Sequence, residues 1–219
     1  MRFDLPPVTL GLLILNIAVF GLMQLGGSDW LLVHAALWPL GPQHLAGYAA
    51  DGTPVMVGFQ VWQLLTYAFM HGGWTHIAFN MLALYMFGGP IEELLGARHF
   101  LIYYLFCAVI AAAAQLAVVH FFTHGFYPTV GASGAIFGLL LAFGMLYPQA
   151  KIIVLILPIP LPAWIAVIGY MVLELILGVT GTQAGVAHFA HLGGAIGGFV
   201  LLQYWRGKLP VKPKRVLTR

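Results

Sequence analysis

Long apolar runs with almost no charged residues dominate this sequence of 219 residues. A run of about 18 or more apolar residues is long enough to cross a lipid bilayer as an α-helix. Only 7% of the residues are charged and 61% are hydrophobic, which excludes an ordinary soluble domain of this size. The sequence therefore predicts an all-α membrane protein that forms one compact bundle in the lipid bilayer.

Six apolar runs are predicted to be transmembrane helices. The first is interpreted as a helix and not as a signal peptide, because no small-x-small cleavage site follows it. The fifth is predicted to be irregular at its start, where Pro158, Pro160 and Pro162 interrupt the apolar run. The predicted spans are residues 8–25, 74–88, 100–122, 133–147, 152–177 and 188–205.

The connection between the first two spans is unusually long for a helical bundle. Within it, residues 30–40 are apolar but too short to cross the bilayer. This segment contains Trp30 and Trp38, and tryptophan is enriched where lipid meets water. Residues 48–58 form a polar, turn-rich connection. The predicted architecture is thus a six-helix bundle with a long, partly interfacial first outer loop.

The positions of lysine and arginine predict the orientation in the membrane. With six spans, all nine of these residues lie on the side of the N-terminus, and loops 26–60, 120–130 and 178–187 contain none. Cytoplasmic loops carry an excess of Lys and Arg, so both termini are predicted to be cytoplasmic. A membrane domain over residues 1–205 is followed by a basic, flexible tail over 206–219. Basic residues confined in this way give no indication of nucleic acid binding.

A serine between glycines begins the fourth span, in the sequence Gly131-Ala132-Ser133-Gly134. Glycine lets a substrate backbone or a second helix approach closely, as in the small-residue packing of membrane helices. The sixth span is also rich in glycine and contains His191 followed by Gly194. Two such helices packed face to face would bring a serine and a histidine together. The alternative is that these glycines serve helix packing alone.

Other polar residues in the spans are candidates for the same site, since polar groups in a bilayer are costly. His76 and Asn80 are four residues apart and share one helix face, where both could donate to an oxyanion. Hydrogen bonding between helices is the alternative for this pair. His191 is the predicted general base, because histidine exchanges protons near neutral pH. Phe137, one turn after Ser133, is predicted to stack on its imidazole.

The acidic residues favour a Ser-His dyad over a triad, because none is near Ser133 or His191 in sequence. Glu174 is predicted near the outer end of the fifth span, where it could snorkel to water or pair with a neighbour. Something other than a carboxylate is therefore expected to orient His191. The acidic residues are Asp4, Asp29, Asp51, Glu92, Glu93 and Glu174.

Two other kinds of site compete with this interpretation. The histidines at 71, 76, 188 and 191 could cluster around zinc, but their spacing does not match H-E-x-x-H and no glutamate accompanies them. No metal or cofactor is therefore expected, and His188 is interpreted as a helix-start residue at the water interface. A proton-coupled transporter could use Glu174, but the hydropathy shows no inverted repeat.

Taken together, these motifs resemble the rhomboid family of intramembrane serine proteases, of the six-helix type, over about residues 59–205. Each motif alone is modest, but their order on successive predicted helices is specific. The resemblance rests on Trp62, the sequence HGGWTHIAFN from His71 to Asn80, Gly88-Gly89 with Glu92 and Gly96, Gly131-Ala132-Ser133-Gly134, and Ala190-His191 with Gly194.

The resemblance implies Ser133 as the nucleophile, His191 as the base, and His76 and Asn80 as oxyanion donors. Gly131 would shape the turn before the serine, and Phe137 would take the aromatic place beneath the histidine. Relatives commonly carry Trp-Arg in the first loop. This chain has Trp62-Gln63 there, for which we expect altered loop stability but retained catalysis.

The implied activity is cleavage of transmembrane substrate proteins near the outer ends of their helices, within the lipid bilayer. Substrate entry would involve the fifth helix and the loop over residues 179–187. A plasma membrane location with multiple spans is expected from the lack of a transit peptide or added soluble domain. The alternative function on the same fold is a catalytically silent protein that binds membrane helices.

Overall fold

The structure, a computed structural model, describes residues 5–154, 157–181, 187–213 and 216, with backbone alone at 154, 157 and 158. Most of the described chain is helical. The helices are α1 (Pro7–Leu22), α2 (Ser28–Ala35), α3 (Gln63–Thr66), α4 (Trp74–Ala83), α5 (Gly89–Leu95), α6 (Ala97–Val118), α7 (Ser133–Leu146), α8 (Ala163–Thr180) and α9 (His188–Trp205), and the strands are β1 (His44–Tyr48), β2 (Pro54–Val57), β3 (Lys151–Val154) and β4 (Leu157–Pro162).

Two of these helices continue through a wider turn instead of ending: Leu84–Gly88 joins α4 to α5 and Val119–Thr123 extends α6, each as one π-helical turn. Met23–Gly27 joins α1 to α2 differently, through a kink at which Leu25 and Gly26 have non-helical backbone angles. Among the described residues, three helical segments are long and apolar enough to cross a membrane: Pro7–Ala35, Ala97–Thr123 and Ala163–Thr180. Their outward faces are apolar, as in α8, where Ile168, Val172 and Ile176 are exposed. This surface suits lipid better than water.

The core of the bundle lies where α6, α7 and α9 pack against one another. Glycines make this packing close. A Cβ at Gly194 would lie 2.6 Å from the carbonyl carbon of Gly134, and one at Gly198 would lie 3.1 Å from the Cα of Gly138. Helices approach this closely only where side chains are missing from both surfaces. The close approach predicted from the glycines of the fourth and sixth spans is present.

A buried carboxylate fixes the first turn of α1 to α5. Glu92 is only 2% exposed, and one of its oxygens accepts hydrogen bonds from the backbone N–H and hydroxyl of Thr9, at 2.6 and 2.8 Å. Its other oxygen accepts from the N–H of Val8 at 2.9 Å. The N–H groups of a first helical turn have no partner within the helix, and a negative charge is favoured beside them.

The first loop contains more regular secondary structure than the sequence predicts. Residues 28–35 are helical, and β1 and β2 form an antiparallel hairpin in place of the polar connection predicted over 48–58. Gln63 lies beneath the loop and is fully buried. Its side-chain oxygen accepts from the N–H groups of Trp38 and Gln60, and its amide donates to the carbonyl of Gly58. A neutral side chain thus satisfies the backbone groups of the loop.

The prediction that residues 152–177 form one helix with an irregular start is wrong for its first part. β3 and β4 form a second antiparallel hairpin, with Ile153 paired to Pro160, and α8 begins only after it. Alternate prolines leave N–H groups missing from the strand, which is tolerated where no further strand pairs with it. An all-α description is therefore incomplete, because two short hairpins accompany the helices.

Other predicted boundaries agree more closely with the structure. The helix predicted over 188–205 is confirmed at both ends, and the one predicted over 133–147 ends one residue earlier. Parts of four predictions lie outside the described residues. These parts are residues 1–4 of the predicted membrane domain, residues 155 and 156 of the predicted fifth span, residues 182–186 of the loop expected to control substrate entry, and residues 214, 215 and 217–219 of the basic tail.

Candidate active site

Two backbone connections fix the loop that precedes Ser133. Leu37 and Thr129 exchange hydrogen bonds of 3.0 and 2.9 Å, which ties this loop to the loop between α1 and α4. The N–H of Gly131 donates to the carbonyl of Tyr67 at 3.0 Å. Gly131 has a φ of 133°, a backbone conformation that residues with a Cβ rarely adopt. The chain then turns into α7, with Ser133 in its first turn.

Ser133 and His191 are hydrogen-bonded across the α7–α9 contact, with 2.8 Å between the serine Oγ and the histidine Nε2. The two residues are far apart in sequence and meet because Gly134 and Gly194 bring the helix backbones together. His191 is 8% exposed, and Ser133 is half-buried. A hydroxyl beside an imidazole nitrogen at this distance can transfer its proton as it attacks an electrophile.

A carboxylate also reaches this pair. Oε2 of Glu174 on α8 lies 2.8 Å from Nδ1 of His191 and 2.7 Å from Nδ1 of His188. An ionised carboxylate only accepts hydrogen bonds, so each imidazole donates its Nδ1–H to it. In that tautomer, Nε2 of His191 accepts the proton of Ser133. This arrangement corrects the expectation that no acidic side chain accompanies the Ser-His pair.

The aromatic support predicted for His191 is present. The rings of Phe137 and His191 are nearly parallel, with centroids 4.2 Å apart and an angle of 6° between their planes. Tyr170 of α8 stacks on the other face of Phe137, with a centroid distance of 5.3 Å and an angle of 14°. The imidazole therefore has its plane fixed by stacking and its edge fixed by hydrogen bonds.

His76 lies on the other side of Ser133. A Cβ at Gly131 would stand 2.8 Å from Nε2 of His76 and 3.5 Å from Oγ of Ser133, so the imidazole and the hydroxyl flank the same glycine. Asn80 is buried one turn further along α4. Its amide donates to the backbone carbonyl of His76 at 2.9 Å, a bond within its own helix.

His71 and His188 are the remaining histidines of the alternative zinc site. His71 is 1% exposed and contacts His76 edge to face, at 5.0 Å between ring centroids. His188 is buried against Glu174 and His191, so its interpretation as a water-facing residue is wrong. The donor atoms of Glu174, His188 and His191 lie within 4.8 Å of one another. Their 2.7–2.8 Å contacts have the length of hydrogen bonds between charged groups.

Sequence reasoning did not find the role of Glu174 as a partner of the histidines. The packing of α8 explains how Glu174 reaches them. Val167 packs against Gly144 of α7, and Glu174 follows Val167 by two helical turns, on the same face. Tyr170, which stacks on Phe137, lies between Val167 and Glu174 on this face of α8. The same face therefore extends from the contact with α7 to the serine and histidine.

Comparison with known proteins identifies one family for this chain. The Rhomboid domain matches residues 58–207 of the chain. Rhomboid protein 1, mitochondrial, of Saccharomyces cerevisiae is 34% identical over 68% of this chain. Rhomboid protease GluP of Bacillus subtilis is 29% identical over 89% of it, and Rhomboid protease GlpG of Serratia proteamaculans is 33% identical over 63%.

The chain belongs to the rhomboid family, because the family's domain covers well over half of its residues and contains every residue of the site described above. The matched regions cover 42% of the yeast protein, 34% of GluP and 40% of GlpG, so the chain spans less than half the length of these relatives.

Proposed function

We propose that this chain is an intramembrane serine endopeptidase that cleaves transmembrane helices of other membrane proteins near their outer ends. The observation that carries the proposal is the 2.8 Å contact between Oγ of Ser133 and Nε2 of His191 at a buried helix contact. Two of the three relatives described above are named rhomboid proteases, which supports the same activity.

In the proposed reaction, Ser133 is the nucleophile and His191 is the general base. As Oγ attacks the scissile carbonyl, its proton passes to Nε2 of His191, and an oxygen–carbon bond forms. His191 then gives this proton to the leaving amine as the carbon–nitrogen bond breaks, which leaves an acyl-enzyme. Water attacks the acyl-enzyme by the same proton route, so that serine is regenerated and the new carboxyl end is released.

The charge on the tetrahedral oxygen needs hydrogen-bond donors. The backbone N–H of Ser133 is available for this because the first N–H groups of a helix have no partner within it. His76 is the proposed side-chain donor, since its ring flanks Gly131 beside Oγ. Asn80 is the second proposed donor. To act, its amide has to turn away from the carbonyl of His76, to which it donates here. Removal of one oxyanion donor typically slows catalysis by about 10²–10³-fold.

We further propose that residues 1–205 form one membrane domain with six spans and that both termini are cytoplasmic, followed by the basic tail. The distribution of Lys and Arg supports this orientation. Cys107 is the only cysteine and is fully buried, so engineered surface cysteines can be labelled selectively. In intact cells, an impermeant maleimide should label Asp51→Cys and should not label Lys208→Cys. The reverse pattern would overturn the orientation.

Covalent labelling of the detergent-solubilised protein with a fluorophosphonate probe tests the proposed chemistry. We expect the wild type to be labelled, and the Ser133→Ala and His191→Ala variants to remain unlabelled although folded. Thermal unfolding of each sample checks that the proteins are folded. A folded wild type that is not labelled would contradict the protease function and leave a catalytically silent helix binder on the same fold.

A further inference from the structure

We propose that Glu174 is a positioning residue that converts the Ser-His pair into a Glu-His-Ser relay and fixes the outer half of α8 against α9. This inference rests on the proposed function, because it concerns how His191 is held while it acts as the base.

The geometry of the carboxylate carries the first step. Glu174 is 5% exposed, and its Oε2 accepts the Nδ1–H of His191 at 2.8 Å. A neutral imidazole that donates from Nδ1 has its lone pair on Nε2, the nitrogen that faces Ser133. The carboxylate therefore selects the tautomer that can take the serine proton. Its negative charge also stabilises the imidazolium that forms during attack.

His188 carries the second step. Its Nδ1–H donates to the same oxygen at 2.7 Å, so one carboxylate oxygen joins two residues of α9 that are one turn apart. Two donors fix the position of the oxygen better than one. The oxygen in turn fixes His191, whose ring plane is held by Phe137. The position of α8 and the orientation of the base are thus set by the same contact.

The burial pattern of α8 carries the third step. Within the described residues, Ala163, Val167 and Glu174 are the buried residues of this helix, and the first two lie in its first half. Glu174 is therefore the buried contact of the outer half of α8, the half nearest Ser133. Movement of that half away from α9 would remove the carboxylate from both imidazoles.

The titratable side chains around Glu174 and His191 show whether another group could take the place of the carboxylate. Among the described residues, the titratable side chains near Glu174 and the base are Tyr170 on α8, His76 on α4, and His188 and His191 on α9. None of them is a second carboxylate, so among these neighbours Glu174 alone can neutralise the imidazolium. Glu174→Gln keeps the shape and an acceptor oxygen but removes the charge, which makes it the informative substitution.

The test compares fluorophosphonate labelling kinetics of the wild type, Glu174→Gln, Glu174→Asp and a packing control. The control is Val167→Ala, which loosens the same helix against α7 without a polar contact to His191. We expect Glu174→Gln to lower the maximal inactivation rate by about 10–10²-fold, the effect of losing one charge-assisted hydrogen bond, with the half-saturating probe concentration unchanged. Glu174→Asp should recover part of the rate, and Val167→Ala should label like the wild type.

A spectroscopic measurement separates orientation from simple loss of packing. In ¹⁵N-histidine-labelled wild type, the resonances of His191 should report a neutral ring protonated at Nδ1, and in Glu174→Gln this preference should weaken. If the wild type is labelled and Glu174→Gln and Val167→Ala are labelled at equal rates, the positioning role of Glu174 is overturned, while the proposed protease function still stands. Failure of the wild type to label would instead refute the proposed function. If a chelator abolishes labelling and Zn²⁺ restores it, the relay is overturned and Glu174, His188 and His191 form a metal site instead.

Discussion

The close packing of α7 and α9 predicts that Gly194→Ala is damaging. A Cβ at Gly194 would overlap the carbonyl oxygen of Gly134, which is backbone and cannot rotate away, so the two helices have to separate. Overpacking costs about 1–3 kcal/mol, and a clash with backbone belongs at the upper end of this range. Alanine contributes about 1 kcal/mol through its better helix propensity. The net loss of stability is therefore about 2 kcal/mol.

Thermal unfolding in detergent measures this loss. A change of 1 kcal/mol shifts Tm by roughly 2–4 °C in a chain of this length, so Gly194→Ala should lower Tm by about 4–8 °C. The labelling rate should fall as well, because a shift of about 1 Å between reacting groups can cost about 10²-fold in rate.

Gly169→Ala is the matched control, since it is the same change in α8 at an exposed glycine with nothing within 4 Å of the added carbon. Its Tm should be equal to or slightly above that of the wild type. If both variants unfold and label alike, the glycine contact is not what holds Ser133 beside His191, and the account of the core is refuted.

Four further outcomes are expected. Glu92→Gln should lower Tm by several degrees, because it removes the charge from a buried acceptor of three hydrogen bonds and bonds to charged groups contribute about 1.5–3 kcal/mol each; an unchanged Tm would contradict the role given to this carboxylate. Gln63→Leu should speed limited proteolysis within residues 26–60, since three backbone groups lose their partner, while fluorophosphonate labelling stays nearly constant; loss of labelling would show that the loop supports the chemistry directly. A chelator should leave labelling unchanged, and metal-dependent labelling would refute the expectation that no cofactor is needed. Replacing helix-breaking residues near the cut in a transmembrane substrate with leucine should slow cleavage, because an intact helix shields the scissile carbonyl; equal rates would refute this requirement for local unwinding.

The helices and the Ser-His contact could be predicted because their signals are local. Ser133 and His191 each stand in a glycine-rich stretch at the start of an apolar run. Glycine on both runs restricts which faces can meet, and the lysine and arginine distribution predicts that both starts lie on the same side of the membrane. Local pattern and global fold agree at these positions, so little else had to be known.

Hydrophobicity alone did not predict the two β-hairpins, although the sequence of each contains a local signal. Asp51-Gly52 is a turn sequence typical of hairpins, and Gly52 has a φ of 82°. Residues 157–162 alternate apolar residues with proline, a period of two that suits a strand better than a helix. The short apolar run of this hairpin directly precedes the long apolar run of α8. The two runs were therefore predicted as one span, with the hairpin as its start.

The contact of Glu174 depends on how α8 is rotated about its axis, and the composition of this helix does not fix that rotation because it is apolar on every side. A carboxylate in a spanning helix costs about 2.5–3.5 kcal/mol on insertion scales. Two charge-assisted hydrogen bonds, at about 1.5–3 kcal/mol each, offset that cost. Within the part of the chain that the structure describes, His188 and His191 provide both bonds. The rotation of α8 that buries Glu174 therefore also places its carboxylate on Nδ1 of His191, the ring whose Nε2 faces Ser133.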